Sequence, residues 1–177
     1  FDGDVISGQA WTIMGGAGSE SLDVFGTTGN DSIDLSGLSF DNFSNDEVNI
    51  FGLDGDDTIV MSGGPDSADG GTGTNTASYA YASGNIDVNM DSGEILDHNG
   101  NTDFITNIQN VTTGSGTDTL LGDANSNSLD GGAGNDIASF FYGTAAMNLT
   151  LPANTSTDYT VAGIGLGTDT LINVEGI

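Results

Sequence analysis

The chain of 177 residues contains no lysine, no arginine and no cysteine, and it has one histidine and two prolines. Without basic side chains it has nothing to neutralise phosphates, so the composition excludes nucleic acid as a partner. It also excludes an anionic membrane surface, unless metal ions bridge the contact. Without cysteine there are no disulfides and no thiolate metal sites. No apolar run approaches the length that spans a bilayer, and no secretory signal pattern is visible.

Acidic residues are what the chain has in excess. Its 26 Asp and Glu give a formal net charge of −26, while 36% of the residues are hydrophobic and 29 are glycine. Self-repulsion of this charge opposes a compact state unless counterions offset it. A thin core without disulfides leaves little to balance the entropy of ordering the chain, and bound cations can supply the difference. Halophilic adaptation is an alternative source of acid excess, but it does not by itself require the absence of every basic residue.

Nine-residue repeats organise much of the sequence. The nonamers TGSGTDTLL, GDANSNSLD and GGAGNDIAS span 113–139, and GLDGDDTIV, MSGGPDSAD and GGTGTNTAS span 52–78. Each has Gly or Asn at the fourth position, Asp or Asn at the sixth and an apolar residue at the eighth. Such a fixed period indicates a repeat architecture in which identical half-turns stack.

Longer repeats relate whole segments of the chain. Residues 52–90 recur as 113–151, residues 15–37 align with 41–63, and TDFITNIQNV at 102–111 resembles TDTLINVEGI at 168–177. These relations predict N-terminal solenoid turns of 26-residue period over 1–51, a first unit over 52–111 and a second unit over 112–177. In each unit a nonamer block is followed by a strand-rich connector. Because the chain stops where a third unit would begin, we expect it to be a piece of a larger protein.

The local pattern predicts short strands. Apolar residues alternate with polar ones at Leu22 and Val24 and again at Ile86, Val88 and Met90, which is the period of a half-buried strand. No stretch has a helical stripe, and Gly, Asn, Asp and Ser recur too often for helices to propagate. We therefore expect an all-β fold, a parallel β-roll or β-solenoid with irregular strand insertions.

Calcium is the cation that this pattern favours. It binds hard oxygen ligands, about six to eight of them, from carboxylates and backbone carbonyls alike. If each nonamer makes a half-turn, residues two nonamers apart stack on one edge, and an ion between two stacked loops contacts both sixth-position side chains. The eighth-position residues then point inward: Leu22, Ile33, Val48, Ile59, Ala68, Ala77, Leu120, Leu129 and Ala138.

These nonamers resemble the RTX repeat GGxGxDxUx, a calcium-binding β-helix signature. GGAGNDIAS at 131–139 matches every defined position, with Ala138 as the apolar residue. GLDGDDTIV and GTTGNDSID each lack one glycine, whereas GGAGSESLD carries Glu20 and GGTGTNTAS carries Asn75 in place of Asp. Strict nonamers cover roughly half of the chain.

The resemblance implies several calcium ions, bound by loop carbonyls and sixth-position side chains. Carried over onto this sequence, it implies one site at Gly114, Gly116, Asp118, Gly131, Ala133 and Asp136, and a second at Leu53, Gly55, Asp57, Gly70, Thr72 and Asn75. A third comprises Thr27, Gly29 and Asp31 with Gly52, Asp54 and Asp57, and on the opposite edge Glu20, Asp46 and Asp66 stack. The second site is expected to be weaker because Asn75 is neutral. The Asp46 and Asp66 loops depart furthest from the motif.

The remaining polar and aromatic residues suggest no catalytic chemistry. Aspartates outside the nonamers, such as Asp97, are expected to cap turns, and His98 is expected to be an exposed loop residue. Trp11, Tyr79 and Tyr81 are either a sugar-stacking platform or packed strand residues. No nucleophile motif, Lys or Arg accompanies the acids, so the chain is not expected to be an enzyme.

The family resemblance leads to one main functional expectation and two alternatives. The main one is a calcium-dependent structural repeat module of a large secreted or cell-surface RTX protein, such as an adhesin, a surface layer or an extracellular matrix filament. Its partners are calcium and neighbouring units or copies of itself, with no direct membrane insertion. One alternative is the calcium-binding accessory or secretion region of a secreted protease, lipase or polysaccharide epimerase. The other is a carbohydrate- or ice-binding face formed by Thr and Asn on the flat side of the coil.

Overall fold

The computed structural model describes residues 11–13, 21–40, 47–139, 148–150, 159–163 and 167–176, with side chains over 21–38, 47–139 and 167–176. Every regular element within these ranges is a β-strand, so the all-β prediction is confirmed. The strands are β1 (Trp11–Ile13), β2 (Ser21–Phe25), β3 (Ser32–Asp34), β4 (Leu38–Phe40), β5 (Glu47–Phe51), β6 (Thr58–Val60), β7 (Asp66–Asp69), β8 (Thr76–Ser78), β9 (Asp87–Asn89), β10 (Glu94–Leu96), β11 (Thr102–Thr106), β12 (Asn110–Thr112), β13 (Thr119–Leu121), β14 (Ser128–Asp130), β15 (Ile137–Ser139), β16 (Asn148–Thr150), β17 (Tyr159–Gly163) and β18 (Gly167–Ile172). The described ranges contain no helix that could cross a membrane.

Two eight-stranded sheets contain all of these strands except β1 and β4, which pair with each other in parallel. Sheet I has the order β15-β13-β9-β10-β11-β7-β5-β2, and sheet II has the order β16-β17-β18-β14-β12-β8-β6-β3. Neighbouring strands are parallel except where β10 pairs with β9 and β11, and where β17 pairs with β16 and β18. We call these two three-strand segments, β9–β11 in sheet I and β16–β18 in sheet II, antiparallel excursions. Between the two excursions the chain alternates between the sheets.

The core lies between the two sheets and is one continuous apolar cluster. Sheet I contributes inward residues such as Val48 and Leu120, and sheet II contributes residues such as Ile59 and Leu129, all with no exposed surface. Each fully buried Val, Leu or Ile stabilises the fold by about 1.5–3 kcal/mol. The eighth-position residues that we predicted to point inward are buried, apart from Leu22, which is half-buried against the cluster.

The repeat of 52–90 as 113–151 exchanges the two sheets. Strand β6 lies in sheet II and its repeat β13 in sheet I, whereas β7 lies in sheet I and its repeat β14 in sheet II. The antiparallel excursion β9–β11 belongs to sheet I, and the corresponding β16–β18 belongs to sheet II. The exchange occurs because an odd number of sheet crossings separates a strand from its repeat. Equivalent loops of the two units therefore lie on opposite edges of the coil.

Candidate cation sites at the sheet-connecting loops

The loops between the sheets form two edges. We call the loops that lead from sheet I to sheet II the Asp57 edge: 26–31, 52–57, 70–75, 107–109 and 122–127. The loops that lead back form the Asp136 edge: 61–65, 79–86, 113–118 and 131–136. Because the strands on either side are paired in register, successive loops of one edge lie directly above one another.

A ladder of side-chain hydrogen bonds joins the loops of the Asp57 edge. The backbone N–H of Asp31 donates to Oδ1 of Asp57 at 2.9 Å, and that of Asp57 donates to Oδ1 of Asn75 at 3.0 Å. The N–H of Asn75 donates in turn to Oε1 of Gln109 at 2.7 Å. Each sixth-position side chain thus orders the loop that precedes it in the stack.

The Asp136 edge has the same ladder. The N–H of Ile86 donates to Oδ1 of Asp118 at 2.8 Å, and that of Asp118 donates to Oδ1 of Asp136 at 2.9 Å. The N–H of Asp136 donates to Oε2 of Glu175 at 2.8 Å. The stacking of the Asp118 and Asp136 loops follows the order expected from the nonamers.

Several ladder aspartates have a second carboxylate oxygen without a hydrogen-bond partner. Among the described residues, Oδ2 of Asp57, Asp118, Asp136 and Asp169 is buried and receives no donor. Burial raises the pKa of Asp57 and Asp136, and it raises the pKa of Asp169 to about 6. A buried carboxylate oxygen without a donor is costly. These oxygens are therefore candidate ligands for a cation.

A carbonyl oxygen of the next loop and the unpartnered carboxylate oxygen border the same space at a glycine. A Cβ built on Gly131 would lie 2.5 Å from Asn173 O and 2.7 Å from Asp136 Oδ2. A Cβ on Gly52 would likewise meet Asp57 Oδ2, and would lie 2.7 Å from Gly70 O. Only glycine keeps such a space open, because a Cβ would lie against both oxygens. A cation is the group that this pair of ligands suits.

Asn75 shows the same geometry with a donor in place of the unpartnered oxygen. A Cβ on Gly70 would lie 2.5 Å from Asn107 O and 2.6 Å from Asn75 Nδ2. The Asn75 amide donates from Nδ2 to Asn107 O at 3.0 Å, so the contact is closed by a hydrogen bond. Asn75 therefore directs its amide nitrogen to loop 107–109, whereas towards loop 52–57 it presents Oδ1, which accepts the N–H of Asp57.

The other predicted carbonyl ligands also meet across stacked loops. Leu53 O accepts the N–H of Thr72 at 2.8 Å, and Thr72 O accepts the N–H of Gly55 at 3.0 Å. Gly114 O accepts the N–H of Ala133 at 2.8 Å. Each of these carbonyl oxygens keeps a second lone pair for an ion. Two other predicted ligands also lie at this contact: Gly131 O accepts the hydroxyl of Thr113 at 2.9 Å, and a Cβ on Gly134 would meet Gly116 O.

Three nonamers have a left-handed backbone at their second position. Gly71 and Gly132 have φ of 74° and 75° there, and Leu53 occupies the same position with φ of 77°. A left-handed conformation costs a non-glycine residue about 1–3 kcal/mol. Leu53 therefore adopts the loop shape that its neighbours impose, which explains how GLDGDDTIV keeps the nonamer geometry with one glycine fewer.

The predicted third site differs from the others because Asp31 is already satisfied. The N–H and hydroxyl of Thr27 donate to the Asp31 carboxylate, and the same hydroxyl accepts the N–H of Gly29 at 3.3 Å. The Asp54 side chain accepts the hydroxyl of Thr72 at 2.7 Å, so it is directed towards loop 70–75. The structure therefore brings the Asp31 and Asp57 loops together, with less need for an ion between them.

Asp66 is also satisfied by hydrogen bonds. It accepts the backbone N–H of Ser62 at 2.7 Å and the Ser62 hydroxyl at 2.8 Å, and its own N–H donates to Oδ1 of Asp103 at 2.9 Å. The hydroxyl of Tyr79 donates to Oδ2 of Asp103 at 2.7 Å. Burial raises the pKa of Asp66 to about 7, and burial with the nearby Asp66 charge raises the pKa of Asp103 to about 8. Glu20 and Asp46, predicted to stack with Asp66, lie outside the described residues.

Any ion at these loops would rely on backbone carbonyls. Within the described ranges, no group of three or more His, Cys, Asp or Glu side chains is placed to hold a metal ion. The contacts instead pair one carboxylate oxygen with one or more carbonyls. The nonamers predict both sixth-position side chains and several carbonyls around each ion, and this ligand set stays a prediction.

The aromatic residues and the isolated histidine pack as structural groups. Tyr79 is fully buried, so it does not present a stacking surface for a sugar. The hydroxyl of Tyr81 donates to Ser62 O at 2.5 Å, and the Tyr81 ring meets His98 edge-on at 5.6 Å. His98 is accordingly half-buried, not exposed as expected.

Asp97 caps its own turn as predicted, accepting the N–H of Asn99 and of Asn101. The Trp11 side chain lies outside the described residues.

Sequence reasoning missed the ladder residues that lie outside the nonamers. Asp103 and Gln109 come from TDFITNIQNV, and Asp169 and Glu175 come from TDTLINVEGI. The similarity of these two segments is visible in the sequence, where it aligns Asp103 with Asp169 and Gln109 with Glu175. What it did not reveal was that an excursion of three strands returns both segments to the stacked loops.

No family model and no curated protein matches the chain. The function is therefore inferred from the loop geometry and from the repeats.

Proposed function

We propose that the chain is a calcium-binding structural repeat module, in which Ca²⁺ ions between stacked loops complete the folding of a parallel β-roll. The observation that carries the proposal is the set of buried carboxylate oxygens without donors at Asp57, Asp118 and Asp136. Two of them, at Asp57 and Asp136, border the same glycine space as a carbonyl oxygen of the next loop. A cation in this space would replace the missing hydrogen bond of the carboxylate.

Calcium suits these loops better than magnesium does. Its larger radius accepts irregular sets of six or more oxygens at about 2.3–2.6 Å, whereas magnesium prefers a tight octahedron and retains its waters. Binding several divalent ions would also offset part of the net charge of −26. The ions would act structurally, by joining successive turns of the coil.

The biological role that fits such a module is a repeat in a larger secreted or cell-surface protein of the RTX type. Extracellular calcium modules bind with Kd of about 10⁻⁴–10⁻³ M, so a protein folded by calcium is suited to the calcium levels outside cells. Neighbouring repeat units, or copies of the chain, are the partners that this role implies. No catalytic part is assigned to the acidic residues.

The test is a comparison of folding with and without calcium. Far-UV circular dichroism and thermal unfolding are recorded with chelator, with millimolar calcium and with millimolar magnesium. We expect calcium alone to give the full β-sheet spectrum and a cooperative transition. An equally stable chelated chain would overturn the proposal, and an equal response to magnesium would overturn the assignment of the ion.

A second candidate function is supported by the outer face of sheet II. Six consecutive strands place one small polar residue each in a single row, paired in register: Ser32, Thr58, Thr76, Asn110, Ser128 and Thr170. A regular row of hydroxyl and amide groups could bind a carbohydrate chain or ice. Polysaccharide binding and ice-recrystallisation assays on the calcium-loaded chain test it, and Thr58→Val with Thr76→Val should abolish any activity found.

A further inference from the structure

Asp169 shares the geometry of the nonamer aspartates although it lies outside the nonamers. Its side chain is fully buried in β18, and its Oδ1 accepts the backbone N–H of Asn127 at 3.0 Å. Its Oδ2 is buried and has no partner among the described residues. A Cβ on Gly122 would lie 2.8 Å from Asn127 Oδ1 and 3.6 Å from Asp169 Oδ2, so the two oxygens border one space that glycine keeps open.

The surroundings of this space are acidic. Asn127 Oδ1 accepts the N–H of Asp123 at 2.9 Å, and Asn127 Nδ2 donates to Gln109 O at 3.1 Å. The Asp123 carboxylate accepts the N–H and the side-chain amide of Asn125, so it adds negative charge to the same loop. Asn127 therefore turns its donor away from Asp169 and presents an oxygen, so it cannot satisfy Oδ2 by a hydrogen bond.

The equivalent residue of the first unit is closed by a hydroxyl. Asp103 corresponds to Asp169, and its Oδ1 accepts the N–H of Asp66 in the same way. Its Oδ2, however, accepts the hydroxyl of Tyr79 at 2.7 Å. The repeat that maps 52–90 onto 113–151 places Phe140 in the sequence position of Tyr79. Phenylalanine has no hydroxyl to donate, so the second unit lacks this donor by sequence.

We propose that Asp169 and Asn127 bind a divalent cation beside Gly122, in the role that the Tyr79 hydroxyl has at Asp103. The ligands are the Oδ2 atom of Asp169 and the Oδ1 atom of Asn127, and the Asp123 carboxylate adds negative charge nearby. The inference rests on the proposed function, because it assigns one further ion to the same array of stacked loops. It also accounts for the placement of an unpartnered carboxylate in a segment that carries no nonamer.

Ion counting on the complete chain tests the assignment. Bound calcium is measured by equilibrium dialysis for the unmodified chain, Asp169→Asn, Gly122→Ala and the matched control Asp103→Asn. We expect Asp169→Asn and Gly122→Ala each to bind one calcium ion fewer, and Asp103→Asn to bind the same number as the unmodified chain. Asp169→Asn should fold, because Asn75 already closes an equivalent contact with its amide.

A second measurement separates loss of an ion from loss of structure. In chelator, Asp169→Asn should unfold at a higher temperature than the unmodified chain, since it replaces a buried carboxylate that lacks a donor by a neutral amide, and its calcium-induced rise in Tm should be smaller. Unchanged ion counts in both Asp169→Asn and Gly122→Ala would overturn the inference while leaving the nonamer sites intact. An unmodified chain that binds no calcium would overturn the proposed function and this inference together.

Discussion

The nonamer loops that the structure describes in the two units share one backbone arrangement but close their contacts differently. In the first unit Asn75 Nδ2 donates to Asn107 O, whereas in the second unit Asp136 Oδ2 and Asn173 O border the same space at Gly131. Asn107 and Asn173 have φ of 53° and 51°, so the two carbonyls are presented alike. The difference between a closed contact and an unpartnered oxygen is therefore a single atom, nitrogen in one unit and oxygen in the other.

The same contrast extends to the other positions of the ladder. Gln109 accepts the N–H of Asn75 in the first unit, and the charged Glu175 accepts the N–H of Asp136 in the second. Unpartnered buried carboxylate oxygens occur at Asp57 in the first unit and, in the described part of the second, at Asp118, Asp136 and Asp169. The cation dependence that we propose is thus a property of individual side chains placed on a common fold. We expect it to be stronger in the second unit.

Removal of divalent ions should break the second unit before the first. With chelator, we expect amide hydrogen exchange to rise first in β13 to β15 and β18, because their loops contain the unpartnered oxygens, while β7, β8 and β12 remain protected longer. Hydrogen exchange followed by mass spectrometry on the complete chain measures this difference. Simultaneous loss of protection in both units would contradict it.

The stability of the first unit should depend on pH through Asp66 and Asp103. Their folded pKa values of about 7 and 8 lie above the ordinary value of 3.8. Between the ordinary and the folded pKa values, the folded state therefore binds more protons than the unfolded state does. Their contribution is therefore complete below about pH 4 and is lost as pH rises through 8, a fall on the order of a few kcal/mol.

Chemical denaturation in chelator between pH 4 and 8.5, followed through hydrogen exchange of β7 and β11, checks the pH effect. Asp103→Asn should flatten the dependence, since its amide can contact the Tyr79 hydroxyl without a charge. A profile that is flat in the unmodified chain, or unchanged in Asp103→Asn, would show that this carboxyl pair is not responsible.

Asp136→Asn and Asn75→Asp, which give each unit the residue type of the other, should have the smallest effects on the free energy of unfolding. Asp136→Asn is expected to raise the free energy of unfolding in chelator by about 1–3 kcal/mol, because its amide can donate to Asn173 O as Asn75 donates to Asn107 O. Asn75→Asp should lower it by a similar amount and bind one more calcium ion. Urea titrations with chelator and with calcium measure both variants, and shifts of the same sign in the two would refute the equivalence of the positions.

The sequence by itself determined the all-β class of fold and which of its loops stack. Alternating apolar residues specify strands because side chains point to opposite faces of a strand in turn. The eighth nonamer position specified the buried residues, such as Ile59 and Leu129. The nonamer period also specified which loops stack, since Asp118 contacts Asp136 and Asp57 contacts Asn75 as expected. These properties depend on neighbouring residues and on a constant period, so they can be recognised without a structure.

Only the tertiary structure decided which carboxylate oxygens lack a donor. The Tyr79 hydroxyl that satisfies Asp103 is 24 residues away, and the Asn127 N–H that contacts Asp169 is 42 residues away. Both contacts cross an excursion of antiparallel strands whose length does not follow the nonamer period. Because three strands of each excursion stay in one sheet, an odd number of sheet crossings separates a strand from its repeat. The equivalent loops of the two units therefore lie on opposite edges. A period describes contacts between adjacent turns, whereas these partners are brought together by the path of the chain through the folded coil.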